Sequence, residues 1–245
     1  MQSHPQPPPD VPVPVPSEQA KRSRRWMVGI WLVGMLSVVG VVVMASLPLM
    51  ARKSKCRGVT PELNNSRQIG LALLDFETEF GSMPNADTLA KLRTKHPAST
   101  VPMGTATSND FFRQLIVTGC AQSEGIFFAR SVQTPKWPDD FTHGNHALEK
   151  GECSFSYILD GSSSADPPVP VAIAPLARGK KLADMKTLRK YDSYERKVVA
   201  LMSDNSARTF PVDMKTGRIL HGAKDLFDPS QPFWHGKAPV VVWPE

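Results

Sequence analysis

From Trp26 to Ala51 the chain runs for 26 residues without a charged side chain. At about 1.5 Å of helical rise per residue, such a run crosses a hydrocarbon layer of roughly 30 Å with some tilt. A transmembrane helix over 26–51 is therefore expected, between a tail (1–25) and a basic linker (52–59) that leads into a folded domain (60–245). The run exceeds the apolar core of about 7 to 15 residues in a cleaved signal peptide, and a long polar tail precedes it, so it reads as a retained anchor. Trp26 and Trp31 lie near its start, where indole rings favour the membrane interface, and Pro48 lies near its end. No Asp, Glu, Lys, Arg or His interrupts it, which fits an anchor and not an ion or proton path.

Charge does not orient the span. Lys21, Arg22, Arg24 and Arg25 precede it and Arg52, Lys53, Lys55 and Arg57 follow it, a tie under the positive-inside rule. An inside amino terminus is expected because the short tail is easily left behind while the large domain is exported. The eight flanking bases account for the excess charge. Of 29 Lys+Arg and 23 Asp+Glu in the chain, 21 of each remain from Gly58 onward. A neutral domain with its bases beside a membrane disfavours nucleic acid as a partner and points to anionic headgroups. Met1 to Pro16 is proline-rich and should be disordered with polyproline II character. Pro5 and Pro8 form a PxxP spacing of the kind that SH3-like grooves take.

The domain opens on Thr60-Pro61-Glu62, which reads as a hydroxyl cap, a proline at the first helical position and a carboxylate near the positive helix end. The helix should run to Phe80 and stop at Gly81, with Pro84 beyond. Ile69, Leu73, Phe76 and Phe80 fall on one stripe about 60° wide with Ala72 beside it, and that stripe should face the core. Leu63, Leu71 and Leu74 form a weaker stripe on nearly the opposite side. Either a curved sheet covers it as well, or it meets a neighbouring subunit.

Asn64 to Ala86, NNSRQIGLALLDFETEFGSMPNA, follows a membrane segment and a short basic linker containing Cys56. This arrangement resembles the pilin-like, type II secretion pseudopilin-like family, through Asn64, Asn65, Gln68, Ile69, Gly70, Ala72, Leu73, Gly81 and Pro84. Two later segments are similar to the family's strand, loop, strand unit (Cys153 to Pro175) and to its closing hairpin (Val198 to Asp213). The resemblance implies a bacterial envelope protein with an extracytoplasmic domain of one long helix on a sheet. It does not extend to the prepilin peptidase site, where this chain has Arg25-Trp26-Met27-Val28 and no acid in the span.

Elsewhere, Leu89 and Leu92 suggest a short helix after Asp87, and Ser108-Asn109-Asp110 supplies cap residues for a helix through FFRQLIVTG. Ile126-Phe127-Phe128 reads as a short strand. Further strands are expected at 154–159, 169–174, 198–202, 207–212, 218–220 and 240–243, with turns at Asp204-Asn205 and Lys215-Thr216-Gly217. A helix followed by strands argues an α+β domain with a mostly antiparallel sheet.

Signals for chemistry are sparse. His143, His146 and Glu149, spaced by three, offer ligands that zinc accepts, and they define an alternative reading as an anchored, metal-dependent envelope hydrolase. Gly144 and Asn145 between them favour a turn, and the HExxH pattern is absent. Ser162, Ser163 and Ser164 lack the Gly-x-Ser-x-Gly setting of a nucleophile. No phosphate loop, dinucleotide fingerprint or EF-hand occurs, so no cofactor is expected. Cys120 and Cys153 would be able to pair in an oxidising compartment, leaving Cys56 over; buried free thiols are the other reading. Arg178 to Lys197 holds eight bases and three acids, either a solvated face or a patch for an anionic partner. Together these features lead us to expect a single-pass, non-enzymatic membrane protein that binds or scaffolds protein partners, or further copies of itself, through Leu63, Leu71 and Leu74.

Overall fold

The computed structural model describes residues 59–245, together with Trp31, Met35 and Ser37, which are helical. The remainder of the expected span lies outside the described residues. Among the described residues no helix is long and apolar enough to cross a membrane. The chain divides into two units, Met1–Cys56 and Arg57–Glu245, and the second carries the fold described below.

Helix α1 (Thr60–Phe80) buries Ile69, Ala72, Leu73, Phe76 and Phe80, the stripe expected from the periodicity. Gly81 ends the helix in the left-handed conformation, φ 81°, and returns its N–H to Glu77 O at 2.8 Å. The start differs from expectation. Val59, not Thr60, occupies the cap position, and no side chain caps it. Thr60 is already helical. The carboxyl of Glu62, in the same first turn, is buried, and its Oε2 has no hydrogen-bond partner.

Helix α2 (Ala86–Lys95) and helix α3 (Ser108–Val117) each begin with a capping box, Asn85 with Thr88 and Thr107 with Asp110. The cap of α3 thus lies one residue before the expected Ser108. Seven strands follow: β1 (Ser156–Ile158), β2 (Pro170–Ala174), β3 (Lys197–Met202), β4 (Ala207–Pro211), β5 (Leu220–His221), β6 (Lys224–Asp225) and β7 (Val241–Val242). Five form a sheet in the order β4-β3-β2-β1-β7, every neighbouring pair antiparallel, while β5 and β6 form a separate hairpin. The domain is therefore α+β with an antiparallel sheet. All five β2 residues and all of β3 beyond Lys197 are buried. Both strands consequently read as continuous apolar runs and not as alternations.

Helix α1 packs on β3, β4 and the 3-10 turn Glu124–Phe127. It approaches the sheet closely at Gly70. A Cβ there would stand 1.9 Å from Asn205 Oδ1 and 2.9 Å from Leu201 Cδ1. Asn205 closes the β3–β4 turn at φ 60°, with its N–H on Met202 O at 3.0 Å. The core continues from Ile69, Leu73 and Phe76 into Phe112, Phe127, Tyr157 and Leu201. The Phe112 ring stacks on Phe127 at 4.8 Å and meets Tyr157 edge-on at 5.6 Å.

Ile126-Phe127-Phe128 does not form a strand; Glu124–Phe127 is a single 3-10 turn. The Asn65 side chain of α1 donates to Gly125 O at 3.0 Å and to Phe128 O at 2.8 Å. Those carbonyls serve a helix side chain, and Gly125 O also takes the Phe128 N–H at 3.3 Å, so the segment closes on itself as a turn. Within the basic segment, helix α4 (Met185–Lys190) is capped by Asp184 and buries Thr187 and Leu188. Only one side of that segment is a solvated face.

Candidate functional site

The three leucines proposed as a contact surface are not equally covered. Leu63 and Leu74 are half-buried, and Leu71 is 56 % exposed. The sheet therefore covers the Ile69 stripe and leaves the opposite side of α1 open at Leu71. The carboxylate of Glu77, on the same helix, accepts from Ser162 Oγ and Ser163 N at 3.2 Å each, so the serine loop is tied to α1.

The histidines do not converge. His146 Nδ1 lies 2.6 Å from Glu149 Oε1, while His143 Nδ1 pairs with the neighbouring Thr142 Oγ1 at 2.9 Å. His143 precedes a 3-10 turn, Gly144–His146, that His146 ends, and the two imidazoles have different partners. His143 instead lines a surface cleft with Thr100, Ile116 and Ala121. Glu149 is further occupied by Lys136, whose hydrogen bond holds the carboxyl below the usual glutamate range, with His146 adding to the effect.

Cys120 and Cys153 are both free thiols, so the disulfide considered from the sequence is not formed. Cys153 is fully buried, with Sγ 3.4 Å from Phe155 O and 3.8 Å from Ser108 Oγ. Burial pushes its thiol up to about 12 and raises the half-buried Cys120 as well.

A different group of side chains does converge. Among the described residues, one group of three potential metal ligands has its donor atoms within 4.8 Å of one another: Glu124, Asp139 and Glu152. Glu124 and Glu152 are fully buried and Asp139 is exposed. Asp140 Oδ1 accepts the Glu124 N–H at 2.8 Å, and Ser123 caps the turn from below. Helix α3 holds the adjoining segment. Arg113, itself buried, donates to Ala147 O at 2.9 Å and Leu148 O at 2.8 Å, and Asn109 donates to Leu148 O at 3.1 Å. That segment returns Leu148 N–H to Glu124 Oε1 and Glu149 N–H to Glu152 Oε2.

The remaining oxygens are less satisfied. Lys136 Nζ lies 2.9 Å from Glu152 Oε1, an ion pair without hydrogen-bond alignment. Glu124 Oε2 is buried and has no hydrogen-bond partner. Burial raises the Glu124 carboxyl above its ordinary range; the Leu148 N–H opposes this, and the charges of Glu152, Asp139 and Asp140 reinforce it. Lys136 is held above the usual lysine range by Glu149 and Glu152. No sequence motif announced this group, because its members come from a 3-10 turn, a loop and a turn before β1. The strongest local signal was Pro138-Asp139-Asp140 beside a lysine.

Comparison with protein-family models, with curated proteins and with solved structures finds no match to this chain.

Proposed function

We propose that the protein is a membrane-anchored, non-enzymatic pilin-like module that binds or scaffolds other proteins of a secretion or envelope assembly. The observation that carries this reading is the two-sided α1 helix. One side is sealed against the sheet by Ile69, Leu73 and Phe76, while the other presents an exposed Leu71 between half-buried Leu63 and Leu74. An exposed leucine alone is ordinary, but three on one face of a helix form a seam suited to the apolar face of another helix. The uncharged 26–51 run supplies the anchor that would tether the domain to a bilayer. The domain follows the span and is extracytoplasmic, with the proline-rich tail on the cytoplasmic side.

The test is in situ cross-linking from α1 in intact membranes, comparing wild type with L71D/L74D. The variant should lose its cross-linked neighbour while the purified protein keeps its circular dichroism and melting temperature. Unchanged cross-linking, with the variant folded, would refute the assignment of this face.

A further inference from the structure

The Glu124, Asp139 and Glu152 carboxylates each bring a donor oxygen within 4.8 Å of the others, and one Glu124 oxygen, Oε2, is buried without a hydrogen-bond partner. The donor set is all oxygen, with no imidazole or thiolate, which selects a hard cation over zinc. At calcium–oxygen distances of about 2.3–2.6 Å, ligands on opposite sides of the ion are separated by at most about 5 Å. Donor atoms within 4.8 Å of one another fit that reach. Magnesium, with bonds near 2.0–2.1 Å, would demand a tighter set. Two of the carboxylates are rooted by backbone N–H groups, Leu148 to Glu124 and Glu149 to Glu152, which pre-orients them. Asp139 sits at the open side, where waters can complete six to eight ligands.

We propose that Glu124, Asp139 and Glu152 form a calcium site, with the Lys136 ammonium as the resident counter-ion that the metal displaces from Glu152. Lys136 keeps its second carboxylate, Glu149, and is 42 % exposed, so it can swing outward without losing every partner. Bound calcium would tie the loop from Lys136 to Phe141 to the Glu124 turn. That loop carries Trp137 and Phe141, which are 70 % and 59 % exposed, so the ion would fix the position of two large aromatic side chains.

The experiment uses the purified full-length protein, stripped with EGTA and titrated with calcium chloride by calorimetry, with melting temperatures recorded in parallel. One calcium should bind per chain. At a hundredfold excess over Kd the melting temperature should rise by about 5–10 °C. Glu124→Gln and Asp139→Asn should each weaken binding about 10- to 100-fold, a loss of the size usual for perturbed metal sites. Asp139 is exposed, so that variant tests the site even if Glu124→Gln folds poorly. Lys136→Met should tighten binding several-fold, which a purely structural lysine would not do. Absence of binding by wild type up to about 10 mM calcium, above the weakest extracellular sites, would overturn the proposal. Unchanged affinity in Asp139→Asn would overturn it too, and weaker binding in Lys136→Met would overturn the displacement of the lysine.

Discussion

Replacing Gly70 by alanine sets two effects of opposite sign against each other. In an exposed helix the change stabilises by about 0.5–1 kcal/mol, because glycine loses more backbone entropy on folding. Here the new methyl would stand 1.9 Å from Asn205 Oδ1, with Asn205 Cγ and Leu201 Cδ1 each at 2.9 Å. The leucine methyl can rotate a little. At Asn205 both Oδ1 and Cγ are in the way, so the whole amide and not only its terminal oxygen must move. Either its side chain is expelled or α1 lifts from β3. Overpacking of this kind costs about 1–3 kcal/mol, and contact this close lies at the upper end. The net expectation is a loss of about 2 kcal/mol, or roughly 4–8 °C in melting temperature for a domain of this size.

Removing the obstruction should abolish most of the loss. Asn205→Gly suits a left-handed position and deletes a buried oxygen, Oδ1, that has no hydrogen-bond partner. In that background Gly70→Ala should be near neutral, giving a coupling of at least about 1.5 kcal/mol between the two sites. Urea unfolding of the four proteins, followed by circular dichroism, measures it. A single Gly70→Ala variant as stable as wild type, or an undiminished loss in the Asn205→Gly background, would refute the close-approach argument.

Two other perturbations test the polar framework. Arg113→Met strands the Ala147 carbonyl, takes one of two side-chain donors from Leu148 O and leaves Asp110 and Glu245 without their guanidinium; removing a buried partner of this kind should cost about 3–5 kcal/mol in denaturant unfolding. Glu62 is nearly fully buried, and desolvation raises its folded pKa above the unfolded value. The penalty for burying its charge is therefore in force above the folded pKa and is relieved as pH falls through it toward the unfolded value. Stability of Glu62→Gln relative to wild type should accordingly be greatest near neutral pH and decline on acidification. A difference that stays flat with pH would show that Glu62 is not charged and desolvated at neutral pH.

Much of the fold was legible because its signals are local. The α1 stripe, the Gly81 stop and the positions of six strands follow from periodicity and turn residues that need no knowledge of distant neighbours. The misreadings arose where a remote side chain decides the local structure. Ile126-Phe127-Phe128 has strand composition, but Asn65 claims the carbonyls of Gly125 and Phe128. The two-residue strand β6 is too short to show a period. Of the proposed contact residues, the sequence placed Leu63, Leu71 and Leu74 on one side of α1, but only the extent of the sheet shows that Leu71 stays open. The carboxylate group was invisible because chain folding, not spacing, assembles it, and the histidines were misleading because only His146 meets Glu149, while His143 precedes the 3-10 turn that His146 ends and pairs with Thr142.

The clasp that Asn65 places on Gly125 and Phe128 also has a mechanical side. It sits near the amino-terminal end of α1, so a load applied there would reach the Glu124 turn through two hydrogen bonds before it strained the sheet. Tension on the helix and the grip of the carboxylates would then be reciprocal: whatever stiffens one makes the other harder to pull apart.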